Sequence, residues 1–272
     1  MTDVYDPAQI MGGLYGDGMI GLQGAFARPW ADNLREDIEQ LFAEAQRVEN
    51  GSLPRGPERY YVEVHPERIR GFIDIVTHPW FVAVSKAVLG KDYRIVELGF
   101  DIPFPGAADQ PWHRDFVAPS ATIERRRLNS LAFNLTAVDT RTEHGPFEIA
   151  LGTQWDDLCD CPGGMFPPRE RWDRYAERAV RKLPRRGDIS ARSALTIHRG
   201  TANRSSEARP VLVVGVDAPD ATNAGHHDMQ VTAAYHAGLP ALVRDHLTCR
   251  IVERLEIVVQ HHIIEGLLLP DY

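Results

Sequence analysis

A histidine and an aspartate lie two residues apart in the segment 111–116, and these residue types at this spacing could bind a metal ion. His113 and Asp115 would point to the same side of a strand, because alternate residues of a strand share a face. An imidazole and a carboxylate on one face supply two of the three ligands of the facial triad that holds non-haem Fe(II). Such a site requires a second histidine elsewhere in the chain.

His198 is the candidate for that second histidine. It ends the apolar run 194–197 and is followed by a glycine-containing turn, and Arg209 follows it by 11 positions, at the head of a further apolar run, 210–214. We therefore predict that His113, Asp115 and His198 bind a metal, leaving three positions of an octahedron free for other ligands.

The His-x-Asp pair, the histidine about eighty residues later, the turn Asn203-Arg204-Ser205 and Arg209 together resemble the phytanoyl-CoA dioxygenase family. The resemblance covers roughly residues 15–217. It implies an Fe(II)- and 2-oxoglutarate-dependent dioxygenase that uses O2, releases succinate and CO2, and oxidises a C–H bond of a small-molecule metabolite. Related halogenases have a small residue in place of the carboxylate, so the presence of Asp115 implies hydroxylation or another oxidation instead of halogenation.

The same resemblance implies that Arg209 binds the distal carboxylate of 2-oxoglutarate. A guanidinium group matches a carboxylate with two parallel hydrogen bonds, and a buried cation at the head of an apolar strand is costly without such a partner. Arg204 is the alternative for this role. Gln110, Asn134 and Thr201 are weaker candidates for the wall of the co-substrate pocket.

A rival ligand set lies in the C-terminal part of the chain. His226 and Asp228 repeat the His-x-Asp spacing, His261 or His262 could supply the distal histidine, and Glu265 follows close behind. The first pair follows a turn-like sequence instead of a strand, and no arginine follows the second pair to bind a co-substrate. We expect both histidine pairs of this region to lie on the surface.

Two other classes of function are compatible with the same residues. A cupin-like barrel could use the three ligands for a metal in a non-oxidative role, or the chain could bind a small molecule without catalysis. A purely structural jelly roll would make the motif coincidental. Arg209 separates these possibilities, because a non-oxidative metal site does not need a cation at that place to bind a carboxylate.

The elements that would position these residues are helices first and strands afterwards. Apolar residues at steps of three and four predict helices over 29–48 and 80–89, and a turn-rich break at 50–57 ends the first of them. The later part predicts strands, with shorter helical turns within residues 169–181 and a helix near 239–254. The predicted strands are 60–64, 93–103, 110–116, 129–138, 145–153, 187–197 and 208–216.

This order predicts an α+β fold, mainly β, with a closed or sandwiched antiparallel sheet and the N-terminal helices packed on it. The family resemblance narrows the sheet to a double-stranded β-helix, the jelly roll of cupin-like proteins. It also implies that residues 155–182 form an insert over the mouth of the barrel. The glycine-rich residues before position 18 are expected to be a flexible entry segment, and residues 18–22 to be the first strand.

Composition limits the remaining possibilities. A chain of 272 residues that is 43% hydrophobic is expected to form one domain, with a core at about 15–217 and a C-terminal extension over 218–272. The net charge of −8 argues against nucleic acid as a partner, and no apolar run suggests a membrane span or a signal peptide.

Three cysteines, Cys159, Cys161 and Cys249, are expected to be reduced thiols of a cytoplasmic protein. Substrate identity and oligomeric state remain open.

Overall fold

The structure is a computed structural model that describes residues 5–158, 160–161, 164–221, 223–259 and 264–268. Within these ranges no helix is both long enough and apolar enough to cross a lipid bilayer. The α-helices are α1 (Pro7–Gly16), α2 (Arg28–Ala45), α3 (Phe72–Thr77), α4 (Pro79–Leu89), α5 (Ser120–Arg125), α6 (Trp172–Glu177), α7 (Ala233–Gly238) and α8 (Ala241–His246).

The strands alternate with these helices and dominate the middle of the chain. They are β1 (Met19–Leu22), β2 (Leu53–Pro54), β3 (Arg59–Glu63), β4 (Arg94–Pro103), β5 (Ser130–Thr136), β6 (Phe147–Ala150), β7 (Ala179–Arg181), β8 (Ile189–Ser193), β9 (His198–Gly200), β10 (Val211–Asp217), β11 (Gln230–Thr232) and β12 (Arg250–Val252).

The large sheet has an apolar face and a polar face. Among the described residues its strands run antiparallel in the order β1-β8-β5-β10-β4-β3-β2. Phe133 and Val214 are paired in register and fully buried, and the Phe133 ring lies 4.2 Å from that of Phe81 on α4. The alternate residues, such as Asn134 and Arg192, face the other way and line a cavity, as the two-residue period of a strand requires. Helices therefore cover one face, and the other is left for a site.

A smaller sheet, in the order β7-β6-β9, closes the cavity from the opposite side. Phe147 at the start of β6 and His198 at the start of β9 both line it. The cavity between the sheets has a volume of about 920 Å³. The chain crosses from the large sheet to the small one between Ser193 and His198, so the strand predicted over 187–197 is in fact β8 followed by a turn, and β9 begins directly after it.

The strand predicted over 110–116 does not form. Only His113 pairs, in an isolated bridge with His198 whose two N–H···O distances are 2.9 and 2.8 Å. Pro111 has no N–H to donate, and the next donors go to different segments: the Arg114 amide to Met165 O and the Asp115 amide to Ala194 O. Consequently this segment is held by several neighbours at once instead of by one strand.

The N-terminal segment is ordered as a helix, contrary to the expectation of a flexible entry. The Asp6 carboxylate accepts a hydrogen bond from the Ala8 amide at 2.9 Å and caps α1, and Ile10 and Leu14 pack into the core. At the C-terminal end of α1, the side-chain amide of Gln154 donates to the carbonyl oxygen of Tyr15 at 2.9 Å. Burial of two apolar residues, together with this capping, explains why a glycine-rich sequence is helical here.

The C-terminal extension packs against the N-terminal half of the chain. β11 and β12 pair in parallel, and Val243 of α8 is buried in the main core. The helix predicted over 239–254 ends early, because the amides of Thr248 and Arg250 donate to Ile95 O and Met229 O and place that stretch in an extended conformation.

Candidate functional site

The three predicted metal ligands lie together at one side of the cavity. The imidazole rings of His113 and His198 are 4.4 Å apart between centroids, and the His198 Nε2 atom is 3.3 Å from Oδ1 of Asp115. The bridge between the backbones of the two histidines produces this closeness, since it aligns two residues that are 85 positions apart.

Both histidines present Nε2 to the site. The Nδ1 atom of His113 lies 2.8 Å from the carbonyl oxygen of Pro111, and that of His198 lies 2.9 Å from the carbonyl oxygen of Thr196. A carbonyl oxygen can only accept, so the proton is on Nδ1 and the Nε2 lone pair is left for a metal. Burial lowers the pKa of both imidazoles; the neighbouring His198 lowers that of His113 further, and Arg192 that of His198. Neutral imidazole is the form that binds metals.

Asp115 is held by a cation that the sequence did not single out. Arg192 on β8 places Nη1 at 2.5 Å and Nη2 at 3.1 Å from the two carboxylate oxygens of Asp115. Burial alone would raise the pKa of Asp115, but the charge of Arg192 outweighs it and holds the pKa well below its usual range. The group is therefore a carboxylate.

The donor set fits Fe(II): two neutral imidazoles and one carboxylate beside an open cavity. Within the described ranges, no three histidine, cysteine or acidic side chains already have the mutual geometry of an assembled metal site, and Asp115 is directed at Arg192. Arg192 could have been suspected from sequence, because it is a charged residue in the middle of a strand that is otherwise apolar or small.

Arg209 precedes β10 and is almost completely buried, with 4% of its surface exposed. Its Nε atom makes no hydrogen bond, and no carboxylate of the described residues lies within ion-pair distance of its guanidinium. Burial and the nearby charge of Arg59 lower the pKa of Arg209 to about 10. The alternative, Arg204, is exposed and does not line the cavity.

Lys182 is a second cation of the cavity that sequence reasoning missed. Its Nζ atom lies 2.6 Å from Oγ of Ser190 on β8 and 5.3 Å from the centre of the Phe147 ring. Burial and the charges of Arg192 and Arg209 lower the pKa of Lys182 to about 7. It lies at the end of the insert amid other basic residues, and nothing in the sequence singles it out.

The weaker sequence candidates differ in their surroundings. Asn134 on β5 lines the cavity, and its buried Oδ1 atom has no hydrogen-bond partner among the described residues. Gln110 also lines it, but its amide oxygen accepts from Arg59 at 3.1 Å and from the Gly200 amide at 3.0 Å. Thr201 donates its hydroxyl to Pro146 O at 2.6 Å. The latter two side chains therefore hold the scaffold around the site.

The rival set in the C-terminal part is not assembled in the described residues. Asp228 forms an ion pair with Arg250, with two contacts of 2.6 Å. His261 and His262, as well as the side chain of Glu265, lie outside the residues that are described. Of the cysteines, Cys161 and Cys249 are free thiols, and Cys159 lies outside the described residues.

The expectation that His226 and His227 both lie on the surface is wrong for His227. Its Nδ1 atom is 2.7 Å from Oε1 of Glu63, and its Nε2 atom is 3.8 Å from Oε2 of Glu97. Burial alone would lower the pKa of His227, but the two glutamates raise it to about 9. The two carboxylates therefore stabilise a partly buried imidazolium at this position.

Comparison with known proteins gives one family match. Residues 14–211 match the family model described as phytanoyl-CoA dioxygenase, which is most of the chain. The end of the match falls at the beginning of β10, so the C-terminal extension lies outside it.

Two solved structures share the fold. One is the non-heme alpha ketoglutarate dependent carbocyclase SnoK from nogalamycin biosynthesis, at 18% sequence identity and a TM-score of 0.63, covering 79% of this chain and 85% of that one. The other is EctD from S. alaskensis with 2-oxoglutarate and 5-hydroxyectoine, at 14% identity and a TM-score of 0.62, covering 80% and 78%. The predicted jelly-roll fold is confirmed.

Proposed function

Because the chain belongs to the phytanoyl-CoA dioxygenase family, we propose that His113, Asp115 and His198 hold its iron. The family makes the protein an Fe(II)- and 2-oxoglutarate-dependent oxygenase, with O2 as the second co-substrate. The enzyme class and cofactors predicted from the sequence are thereby confirmed. The individual ligands, the hydroxylation and the substrate are the parts that we propose.

The three proposed ligands supply the donor atoms for iron, and backbone carbonyl groups fix the two histidine tautomers. The two Nε2 lone pairs and the Asp115 carboxylate offer the donors that Fe(II) accepts, and the carbonyl oxygens of Pro111 and Thr196 fix both tautomers. When bound, iron together with 2-oxoglutarate and O2 supplies the oxidant that removes a hydrogen from a C–H bond. The protein orients the substrate and keeps water out of the space between the two sheets.

The observation that supports the co-substrate site is the buried charge of Arg209, which forms no ion pair within the described part of the chain. A cation without a partner in a low-dielectric interior is strongly unfavourable, so the site is built to receive an anion. Lys182 adds a second cation whose nearest polar partner is a hydroxyl group. We place the distal carboxylate of 2-oxoglutarate between Arg209 and Lys182. A non-oxidative cupin site would not bring a carboxylate to pair with these two cations.

We propose hydroxylation as the outcome, since Asp115 occupies the carboxylate position and leaves no ligand site for a halide. The substrate is a small molecule, because the cavity of about 920 Å³ is within the usual range for small-molecule pockets, roughly 300–1,000 Å³. It is large enough for 2-oxoglutarate and a second compound side by side.

The test is an anaerobic titration of the apoprotein with Fe(II) and then 2-oxoglutarate, recorded by the visible charge-transfer band of the chelate. We expect the band in wild type, its loss in His198→Ala, and roughly 100-fold weaker 2-oxoglutarate binding in Arg209→Ala, because a charge-assisted pair is lost. Arg204→Ala is the matched control, with an unchanged band. If the wild type binds iron but gives no band at any 2-oxoglutarate concentration, the proposed site is wrong.

A further inference from the structure

The cavity is electrically polarised along the large sheet. Lys182 and Arg209 lie at one end without carboxylate partners among the described residues. Glu97 on β4 lies at the other end, next to Tyr61, whose hydroxyl donates to Glu97 Oε1. If 2-oxoglutarate neutralises the positive end, the negative end is left for the second compound.

The acidic end has more carboxylate charge than its imidazolium can neutralise. His227 lies between Glu63 and Glu97, and its raised pKa, about 9, means that it is already a cation at neutral pH. Asp217 is a third carboxylate near His227, so three carboxylates stand against two cations, His227 and Arg55, and the net charge is negative. Arg55 lies over the Tyr61 ring, 4.7 Å from its centre, but forms no ion pair with Glu97 in the described part of the chain.

The cavity floor between Arg192, on the metal side, and Glu97 is made of very small residues. Arg192, Ala132, Gly215 and Glu97 form one row across β8, β5, β10 and β4, spanning roughly 14 Å at a strand spacing of about 4.8 Å. A Cβ atom on Gly215 would lie 2.6 Å from Oε2 of Glu97. The glycine therefore allows the carboxylate to lie across the floor, toward the metal side of the cavity.

A second, independent feature at this end also requires a hydrogen-bond donor. Asn129 is 8% exposed and lines the cavity, and its buried Oδ1 atom has no hydrogen-bond partner among the residues that the structure describes. It precedes β5, whose first residue, Ser130, pairs with Asp217 on β10. Buried acceptors are almost always satisfied in folded proteins, so this oxygen marks a place where a ligand N–H group would be stabilised.

We propose that the substrate is a small organic cation, an amine or amidine, whose nitrogen donates to Glu97 and Asn129 while its carbon skeleton crosses the Ala132–Gly215 floor. The proposal rests on the proposed function, since it assumes that iron and 2-oxoglutarate occupy the other end. Charge and hydrogen-bond donors then select the substrate, and the small floor residues give the skeleton room to reach the iron side.

The experiment measures anaerobic binding of charge-matched probes to the full chain loaded with Fe(II) and 2-oxoglutarate. Each probe set has one carbon skeleton carrying an amine, an amide or a carboxylate, for example 2-phenylethylamine, 3-phenylpropanamide and 3-phenylpropanoate. Sets with linear, cyclic and aryl skeletons cover different shapes. Calorimetry gives the affinities, and succinate release in air shows which bound probes trigger turnover.

We expect at least one amine to bind at least tenfold more tightly than its amide and carboxylate counterparts. Glu97→Gln should remove that preference and leave amide binding unchanged, and Asn129→Ala should weaken amine binding several-fold. Glu39→Gln, the same change at an exposed position of α2, should have no effect. An unaltered charge-transfer band and melting temperature show that each variant is folded.

The proposal is overturned if no amine in any set binds, if carboxylates or amides bind as well as amines, or if Glu97→Gln keeps the preference. A wild-type protein that shows no charge-transfer band gives a different result, which contradicts the proposed co-substrate site. The band is recorded before any probe is added.

Discussion

Protonation of Lys182 makes binding at the proposed co-substrate site depend on pH. Its pKa is lowered to about 7 by burial and by Arg192 and Arg209, so the free site loses one positive charge as pH rises through neutrality. 2-Oxoglutarate remains a dianion over this range. Binding of the dianion therefore becomes weaker as pH rises.

We predict that the affinity of wild type for 2-oxoglutarate falls between pH 6 and pH 8. In Lys182→Met the affinity should be about tenfold lower at pH 6, since one charged hydrogen bond is lost, and should change little with pH. Titration of the charge-transfer band at each pH is the measurement. Lys86→Met, at an exposed position of α4, is the control; a flat wild-type profile would contradict the prediction.

Some residues of the candidate site can be predicted from the sequence, and others cannot. His113, Asp115, His198 and Arg209 were identifiable because their spacing is itself a signal. Lys182 was missed, because a basic residue in a chain with 30 lysines and arginines is usually solvated. Arg192 was overlooked for the same reason, although its place in an otherwise apolar or small strand was a weak signal.

At the scale of elements, Arg59 and Gln110 fasten the metal-binding segment to β9. Arg59 is 2% exposed and donates to Gln110 Oε1 and to Thr201 O, at 3.1 and 3.0 Å. The backbone N–H of Gln110 donates to Gly200 O at 2.9 Å. Because residues 110–116 are not a strand, these contacts and the bridge at His113 do the positioning that a sheet would otherwise provide.

Gly200→Ala tests this arrangement. The added Cβ would lie 1.7 Å from Arg59 Nη1, so the buried guanidinium must move. We expect a loss of about 2 kcal/mol in the free energy of unfolding and weaker iron binding. Urea unfolding and iron titration measure the two effects. Gly12→Ala, where a Cβ meets nothing within 4 Å, should be neutral or stabilising; equal effects of the two changes would refute the role of the contact.

The prediction of elements succeeded where apolar periodicity was strong and failed where other contacts decide the backbone. The helices near residues 29 and 80 and the strands β4, β5 and β10 were predictable, since each buries a regular face. The segment at 110–116 looked like a strand because its side chains alternate, but Pro111 and the scattered acceptors of its amides prevent regular pairing.

At the scale of the whole molecule, the C-terminal extension is joined to the sheet by charge as well as by packing. His227 of the extension pairs with Glu63 at 2.7 Å, at the end of β3. Its pKa is about 9 in the folded protein, against about 6.5 in an unfolded chain. The raised pKa means that this contribution to stability is complete below pH 6.5 and is lost as pH rises to 9.

His227→Gln should therefore lower the free energy of unfolding by about 3 kcal/mol at pH 6, because two carboxylates lose their cation. The difference from wild type should shrink between pH 6.5 and pH 9 and vanish above it. Urea unfolding at pH 6, 7.5 and 9.5 measures this. His236→Gln on α7, a partly exposed histidine that forms no ion pair in the described part of the chain, is the control, and a difference that does not depend on pH would contradict the assignment.

The cavity wall crosses the boundary of the family match. The match ends at residue 211, yet His226, His227, Ile264 and Leu267 line the same cavity as the proposed iron ligands. The proposed iron ligands thus lie within the family match, whereas part of the wall at the proposed substrate end comes from the extension. Relatives with identical iron ligands but a different extension should act on different compounds, so a substrate cannot be transferred from one relative to another by motif alone. Exchanging extensions between relatives is consequently a rational route to new specificities.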